Sequence, residues 1–460
     1  MLRHSARACA LSTCFFLSSI VVLSSSSAAA QEPETSPAQQ TQAVLFQNVK
    51  VFDGTSEGLS AATDVLVVGN KIQTIGKEIE VPANTTVING DGRTLMPGLI
   101  DNHWHSMFAA IPQQIGLSAD IGYINLLAGN QAGETLLRGF TSVRDVGGPV
   151  FGLKRAIDEG LLSGPRIYPS GAFITQTSGH GDFRGPNDVP AEIGGTLTYF
   201  ERVGATLIAD GKPEVIKRTR EVLRMGASQV KVMAGGGVAS NYDPLDVSQY
   251  TLDELKAAVE VAGTWNTYVT VHAYTNDAIR QAVEAGVKCI EHGHLIDEAT
   301  IQLLAEKDIW LSMQPFLDDE DAIQFPPDSE NRRKYLQVIA GTDIVYRLAR
   351  KHKVKLAWGT DTLFDPKLAN KQGKQLVKLS HWFEPHQVLK MATHDNAQLL
   401  KLCGPRDPYP GKLGVVEAGA LADLLLVDGN PLDDLELIAD PEKNFLIIMK
   451  DGKIYKNTVK

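Results

Sequence analysis

The segment 95–105, which reads LMPGLIDNHWH, constrains the fold more than any other part of the sequence. A short apolar run there ends in Asp101, and His103 and His105 follow two residues apart. Because successive side chains of a strand point to opposite faces, the two imidazoles project from the same face. Neutral imidazoles bind transition metals, most often zinc. The segment therefore predicts a buried strand that ends in half of a metal site, although His-x-His also arises by chance in a chain with 11 histidines.

The N-terminal part of the chain has the pattern of a secretion signal. Basic residues precede an apolar run over 9–23, and Ala28-Ala29-Ala30 forms a small-residue cleavage motif. The apolar run is too short for a stable membrane span. We therefore predict a signal peptide over 1–30, a flexible linker over 31–42, and an exported protein that is periplasmic or secreted.

Short alternating strands separated by turns occur near both ends of the remaining chain. They occupy 43–96 and return over 408–460, where a strand is also expected over 414–419. Asp-Gly and Asn-Gly dipeptides separate several of these strands, as in hairpins. The shared pattern predicts one small β-sandwich domain formed from both chain ends.

Between these segments, over 97–407, apolar strands alternate with helices. This alternation is typical of an α/β fold and predicts a (β/α)8 TIM barrel. The eight predicted strands are 98–102, 141–145, 166–170, 229–233, 268–272, 289–291, 309–313 and 356–361.

Polar residues at the ends of these strands form a candidate metal site, because the C-terminal ends of barrel strands carry the catalytic residues. The candidates are His103, His105, Lys231, His272, His292 and Asp361. For Lys231 two interpretations stay open. Burial would favour its neutral amine, which can react with carbon dioxide to give a carbamate that bridges two metals. Alternatively, the ammonium reaches the barrel rim or pairs with Asp361.

The other candidates also have alternatives. His272 could be an ordinary core histidine, and Asp361 could be a helix N-cap. His294 competes with His292, since both follow the same strand two residues apart; we favour His292 and expect His294 at the rim.

Net charge and cysteine content bear on the possible partners and on whether a disulfide forms. The formal net charge of −10 disfavours a nucleic-acid partner. Cys289 and Cys403 remain once the signal is removed, and the sequence allows either a disulfide or free thiols. The apolar surroundings of Cys289 favour a buried free thiol.

Several motifs are spread over nearly the whole chain after the signal: PGLIDNHWH, RGFTSVRDVGG, VKVMAGGG, VHAYT, IEHG, WGTD, ATHDNAQLL and GxxxxGxxADLLLVDGNP. Taken together, they resemble those of the amidohydrolase superfamily, in the branch with two metals bridged by a carboxylated lysine. The resemblance is closest to imidazolonepropionase-like and prolidase-like members, which include Xaa-Pro dipeptidases and ochratoxin-hydrolysing amidohydrolases.

The resemblance implies a role for each residue of the site. His103, His105 and Asp361 would hold one divalent metal, most often Zn²⁺, and His272 and His292 a second. Carboxylated Lys231 and a hydroxide would bridge both metals. Asp361 would also take the hydroxide proton and deliver it to the leaving amine.

The same branch implies contacts to the substrate carboxylate. His180 and Tyr274 are the main candidates, although each could be an ordinary loop donor, and Arg184 and Tyr242 are weaker ones. The implied partner is a small-molecule amide. Neither a nucleic acid nor, after signal cleavage, a membrane is expected, and the chain is expected to form a homo-oligomer.

The sequence thus predicts a metal-dependent amidohydrolase. Its substrate would be an amide of a C-terminal amino acid: a dipeptide, an N-acyl amino acid or an ochratoxin-like N-aroyl phenylalanine. Three alternatives stay open at this point: a lactonase or phosphotriesterase with the same metal pair, an imidazolonepropionase-like ring-opening enzyme, and a metal-free binding protein.

Overall fold

The computed structural model describes residues 42–459, and this part of the chain has a mixed α/β fold. The predicted signal peptide, and the predicted linker except for Gln42, lie outside the described residues. Among the helices of residues 42–459, none is both long enough and apolar enough to cross a membrane.

The strands of the described chain are numbered in chain order. They are β1 (Ala43–Val51), β2 (Thr63–Val68), β3 (Lys71–Gly76), β4 (Thr86–Asn89), β5 (Thr94–Pro97), β6 (Leu99–Trp104), β7 (Phe140–Asp145), β8 (Arg166–Pro169), β9 (Phe173–Thr175), β10 (Thr206–Ile208), β11 (Val230–Met233), β12 (Val269–Thr275), β13 (Cys289–Leu295), β14 (Trp310–Met313), β15 (Leu356–Trp358), β16 (Leu424–Val427), β17 (Phe445–Lys450) and β18 (Lys453–Asn457).

The α-helices are numbered in the same way. They are α1 (Gln113–Gly116), α2 (Ile121–Leu137), α3 (Phe151–Asp158), α4 (Tyr199–Arg202), α5 (Gly211–Met225), α6 (Leu252–Thr264), α7 (Asn276–Ala285), α8 (Glu298–Glu306), α9 (Glu330–His352), α10 (Pro366–Ala369), α11 (Gln372–Val377), α12 (Pro385–Lys390), α13 (Asn396–Leu400) and α14 (Pro441–Asn444). A π-helical turn, Met391–Asp395, joins α12 to α13, and short 3-10 turns lie at Ala191–Ile193, Lys378–His381, Lys401–Arg406 and Leu435–Ile438.

Strands from both ends of the chain form one eight-stranded sheet, in the order β18-β17-β16-β5-β1-β2-β3, with β4 on β1. The N-terminal and C-terminal segments meet in the middle of this sheet, where β5 pairs antiparallel with β16 and Leu95 is aligned with Leu426. The sheet has its own apolar core, to which Phe46, Val49 and Met449 contribute.

The predicted strand over 414–419 is wrong, because no strand forms there. Gly414 and Gly419 have φ angles of 71° and 87°. These left-handed conformations are readily accessible to glycine and incompatible with an extended strand. The segment is therefore a loop that leads into β16.

The central strands pair in parallel. They form a three-stranded sheet, β6-β7-β8, and a seven-stranded sheet, β10-β9-β11-β12-β13-β14-β15. The predicted strand 166–170 is only the first half of a bent segment that links these sheets. Its β8 half pairs with β7 and its β9 half with β11. Gly171, at φ 71°, provides the bend.

The other edges of these two sheets also meet, at β6 and β15. The buried Asn396 Nδ2 donates to the carbonyl oxygens of Ile100 (2.7 Å) and Trp358 (2.8 Å), while its Oδ1 accepts from Trp358 N at 3.0 Å. The buried Asp101 carboxylate accepts from the backbone N–H and hydroxyl of Thr360. The side chains of Asp101 and Asn396 thus hold the ends of β6 and β15 side by side.

Helices cover the central strands and begin where local signals place them. A capping interaction is present at the start of α6, since Glu254 accepts hydrogen bonds from Thr251 N and Oγ1 at 2.8 Å. The helix α9 begins at Glu330, where Ser329 caps it by accepting from Arg332 N. This helix reaches the loops beside the C-terminal ends of the strands.

Candidate active site

The histidines at the end of β6 converge on Asp361, which follows β15. His103 Nε2 lies 3.1 Å and His105 Nε2 lies 3.3 Å from Asp361 Oδ1. His292, in the middle of β13, places Nδ1 3.8 Å from Asp361 Oδ2. Ligand atoms of His103, His292 and Asp361 all lie within 4.8 Å of one another, which is the spacing of a candidate metal site.

The remaining candidates surround this group. The His272 ring lies 4.5 Å from the His292 ring, which in turn lies 5.0 Å from the His103 ring. Lys231, in β11, is 1% exposed, and its charge acts on His103, His272 and His292. The structure therefore brings together all six residues that the sequence singled out. Their role as metal ligands stays a prediction.

Burial and neighbouring charges set the protonation of the group. Burial holds the pKa values of His272 and His292 well below the usual range, so both imidazoles are neutral. Burial alone would raise the pKa of Asp361, but His103 and its neighbours hold that pKa well below the usual range. Burial lowers the pKa of Lys231, and this effect outweighs the charges of Glu291 and Asp361, which raise it. The group therefore contains a carboxylate, neutral imidazoles and an amine that loses its proton more readily than usual.

One nitrogen of each imidazole is already bound to a protein oxygen, which orients the ring and leaves the other nitrogen available. The four bonds are His103 Nδ1 with Glu291 Oε2 (2.9 Å), His105 Nδ1 with Gly147 O (3.1 Å), His272 Nε2 with Gly236 O (3.1 Å) and His292 Nδ1 with Gln314 Oε1 (2.8 Å). Imidazoles oriented in this way beside a carboxylate suit zinc and similar divalent ions. The donor set therefore fits the metals that the sequence predicts.

Glu291 and Arg144 form a buried pair behind His103 that no sequence motif singled out. Both are fully buried, and Arg144 Nη2 donates to the two oxygens of Glu291 at 2.7 and 2.9 Å. Burial would raise the pKa of Glu291, but Arg144 and His103 keep it well below the usual range. A signal was present, because charged residues rarely occur inside fully buried strands unless they are paired.

Two of the candidate ligands have strained backbones. His292 has φ 77° and Asp361 has φ 53°, both in the left-handed region that non-glycine residues seldom adopt. Such residues cost about 1–3 kcal/mol each and occur preferentially at functional sites. The surrounding structure therefore holds these two side chains in place at the expense of stability.

His180 and Tyr274 border the group, as the sequence predicted. The His180 ring stacks on His272 with centroids 4.1 Å apart and an angle of 17°. Tyr274 is buried, with its ring 5.1 Å from His272 and 4.9 Å from His292. Both residues are thus next to the candidate metal ligands, and their contact with substrate stays a prediction.

The two weaker candidates have other surroundings. The guanidinium of Arg184 is held by Asp182, two residues earlier in the same loop. The Tyr242 side chain is 52% exposed, and its carbonyl accepts a hydrogen bond from Ser178 Oγ. Both residues lie in loops beside His180. Their predicted contact with the substrate carboxylate stays a prediction.

His294 does not lie at the rim, so that expectation is wrong. It is fully buried, its Nε2 contacts Gln314 O at 2.9 Å, and its ring stacks on Phe316. Burial lowers its pKa to about 4. Positive φ angles at His292 and Gly293 interrupt the alternation of the strand, which explains the different direction of His294.

Cys289 and Cys403 are both buried and free, so the disulfide that the sequence allowed does not form. Burial raises the pKa of each thiol to about 12. Neither thiol is therefore a reactive thiolate near neutral pH.

The sequence and the fold are similar to those of known proteins. The amidohydrolase family model matches residues 94–456. Ochratoxinase from Aspergillus niger is 32% identical over 416 residues, which cover 85% of this chain and 82% of that protein. A prolidase complexed with N-methylphosphonate-L-proline has a TM-score of 0.82 and 32% identity, covering 91% of this chain and 100% of that one. The A. niger ochratoxinase structure has a TM-score of 0.78 and 26% identity, covering 91% and 96%.

These similarities confirm the resemblance to the amidohydrolase superfamily and to its ochratoxinase-like and dipeptidase-like members. They also imply a TIM barrel accompanied by an additional domain. The family model covers more than half of the sequence. The chain therefore belongs to the amidohydrolase family and is a hydrolase that acts on small-molecule amides.

Proposed function

We propose that this chain is an exported binuclear zinc hydrolase that releases a C-terminal amino acid from an amide. The substrate is a dipeptide, an N-acyl amino acid or an ochratoxin-like N-aroyl phenylalanine. The observation that carries the proposal is the convergence of His103, His105 and His292 on the single carboxylate of Asp361. The similarity to ochratoxinase and to a prolidase supports the choice of an amide that contains an amino acid.

In the proposed site, His103, His105 and Asp361 would hold one metal, His272 and His292 would hold the other, and carboxylated Lys231 would be a ligand of both. Divalent ions bound there would polarise the scissile carbonyl and lower the pKa of an attacking water. The burial of Lys231 supports its carboxylation, because only the neutral amine reacts with carbon dioxide.

Asp361 moves the proton in this proposal. Its carboxylate is ionised and its side chain is 21% exposed, so it is charged and partly accessible to solvent. It accepts the proton of the attacking water and transfers it to the leaving nitrogen. A group in contact with both His103 and His105 is well placed for this transfer, because its position is fixed.

His180 and Tyr274 bind the carboxylate of the leaving amino acid, with Arg184 and Tyr242 as more distant contributors. The stacking of His180 on His272 supports this assignment, because it places a second imidazole next to the candidate ligands. Tyr274, in β12, supports it as well, because its ring contacts those of His272 and His292.

We further propose that the eight central strands close into a (β/α)8 barrel and that the eight-stranded sheet folds into a β-sandwich. The bent segment through Gly171 and the side chains of Asp101 and Asn396 support closure at both seams. A cleaved signal and a homo-oligomeric assembly complete the proposal, which includes neither a nucleic acid nor a membrane as partner.

A substrate screen tests the proposed function. Purified protein would be assayed against N-acyl amino acids and dipeptides, beside lactones and phosphotriesters, before and after chelation and after zinc is restored. We expect amide hydrolysis that is lost on chelation, restored by zinc and accompanied by two metals per chain. Faster turnover of lactones or phosphotriesters, or activity that resists chelation, would contradict the proposal.

Substitution of Asp361 tests whether this residue is required for turnover. Asp361→Asn is expected to lower kcat by about 10²–10⁴-fold, the usual contribution of a general base. Asp277→Asn, an exposed residue in the first turn of α7, is the matched control and is expected to leave kcat unchanged.

A further inference from the structure

A buried lysine outside the candidate metal site fixes one of the loops around it. Lys334, near the start of α9, is 3% exposed. Its Nζ donates to three backbone carbonyl oxygens of one loop: Gly237 (2.9 Å), Ser240 (3.0 Å) and Asp243 (2.9 Å). An ammonium has three donors, so all of them are used on this loop. Asn331, three residues earlier in α9, donates to Val238 O in the same loop.

The clamped loop encloses a buried carboxylate. Asp243 is 1% exposed, and its Oδ2 accepts from Gly237 N at 2.7 Å. Lys334 Nζ lies 4.0 Å from Asp243 Oδ1. Burial alone would raise the pKa of Asp243, but His180, Ser240 and Lys334 hold it below the usual range. A buried charge is costly unless an opposite charge compensates it, and Lys334 supplies that charge.

The same carboxylate contacts His180. Asp243 Oδ2 lies 3.1 Å from His180 Nδ1, and Ser240 Oγ lies 2.6 Å from the same nitrogen. These contacts fix the ring, which stacks on His272. His180 Nε2 is on the opposite side of the ring and does not contribute to either contact. One chain of interactions therefore leads from Lys334, through the loop and Asp243, to His180.

The loop also leaves no space for His180 to move toward it. A Cβ atom at Gly237 would overlap the His180 ring, whereas a Cβ at Gly235 would meet its neighbours only at ordinary contact distances of 3.4 Å or more. The glycine at position 237 is therefore required by the position of the histidine. The glycine at 235 is not.

We propose that Lys334 and Asp243 are positioning residues that set the orientation of His180 and thereby the enzyme's preference for substrates with a free C-terminal carboxylate. The carboxylate part of this inference depends on the proposed function. The positioning part does not, since it concerns only contacts within the chain.

The first test compares a substrate with a matched analogue. One N-acyl amino acid would be assayed beside its C-terminal carboxamide, which is cleaved at the same bond but has no carboxylate. For Lys334→Met and Gly237→Ala, we expect KM for the carboxylate substrate to rise about 10- to 100-fold, the factor of one hydrogen bond to a charged group. The kcat value and the KM for the carboxamide should stay within about threefold of wild type, which is less than half of the free-energy change that a tenfold shift represents.

Two matched control variants distinguish the positioning of His180 from a general effect of removing a buried lysine or adding a methyl group. Lys450→Met removes another buried lysine that donates to a backbone carbonyl, that of Gly164, in the sheet formed by the chain ends. Gly235→Ala adds the same methyl group two residues from Gly237. Both controls should leave the ratio of the two KM values unchanged. If Lys334→Met does not fold, Asp243→Asn, which keeps the size of the side chain, replaces it.

Hydrogen–deuterium exchange gives a readout that needs no activity. Lys334→Met and Asp243→Asn should both increase exchange in the segment 177–182 around His180, although Lys334 makes its hydrogen bonds to 237–243. Unchanged exchange around His180 would overturn the positioning role. A uniform rise of KM for both substrates, or a fall of kcat alone, would overturn the carboxylate role. Wild-type protein that cleaves neither substrate would refute the proposed function, while the exchange result would still decide the positioning role.

Discussion

The substitution Glu291→Gln tests how the buried charges support the metal site. The Glu291 carboxylate accepts from Arg144 Nη2 through both oxygens, from His103 Nδ1 at Oε2 and from Thr270 Oγ1 at Oε1. A glutamine has one acceptor oxygen, and its NH₂ group would face another donor. At least one buried donor therefore loses its partner, and the Arg144 guanidinium loses its counter-charge.

These contacts predict two effects of the substitution, one on the free energy of unfolding and one on metal affinity. Breaking a buried ion pair by removing one partner costs about 3–5 kcal/mol, so the free energy of unfolding of the metal-free protein should fall by about that amount. Loss of the group that orients a ligating histidine weakens metal binding by about 10- to 100-fold, or about 1.4–2.8 kcal/mol. The two effects differ because Arg144 supports the fold, whereas His103 faces the metal site.

The assay combines urea unfolding of the metal-free protein with zinc titration against a competing chelator. Glu298→Gln is the control, because Glu298 also pairs with a cation and a histidine, Lys351 and His352, but lies at the surface. Unfolding and zinc affinity of the control should match those of wild type. If Glu291→Gln matched wild type in both measurements, the carboxylate would neither stabilise the central strands nor orient His103, and our interpretation of the buried network would be wrong.

Three further predictions concern other parts of the chain. Lys231→Ala should prevent loading of two metals per chain, and normal loading in elemental analysis would show that the lysine is not a ligand. Asn396→Ala should lower the free energy of unfolding by about 1–3 kcal/mol for each of the buried backbone groups it leaves unpaired, as measured in urea. Burial would raise the pKa of Asp451, but Arg166 lowers it. The pair therefore stabilises the fold above the unfolded pKa of about 4 and loses this contribution as pH falls through the lower folded value. Arg166→Met should accordingly have a lower free energy of unfolding than wild type at pH 7. The difference between the two proteins should shrink toward pH 2.

The positions of the candidate ligands could be predicted because they depend on local rules. Strand alternation places His103 and His105 on one face, and parallel strands bring their C-terminal ends to one edge. No alignment or long-range contact is needed for that step. The same rules failed at His294, because the positive φ angles at His292 and Gly293 change the direction of the chain and are not encoded in a simple pattern.

The supporting residues could not be predicted because their partners are distant in sequence. Glu291 lies 188 positions from His103, and Lys334 lies 91 positions from Asp243. A charged residue in an apolar strand indicates that a partner exists, but only the folded chain shows which one. The bend at Gly171 was missed for a related reason, since a single glycine in a strand is compatible with several local structures.

The pairing of β5 with β16 affects how a newly made chain can reach its native state. β5 leaves the ribosome well before β16, the strand that pairs with it, because the whole central region lies between them in the sequence. Pairings between such distant segments form slowly, and unpaired strand edges are prone to aggregation. Until β16 has been made, one edge of β5 therefore stays unpaired, so this sheet cannot be completed before the whole central region has left the ribosome.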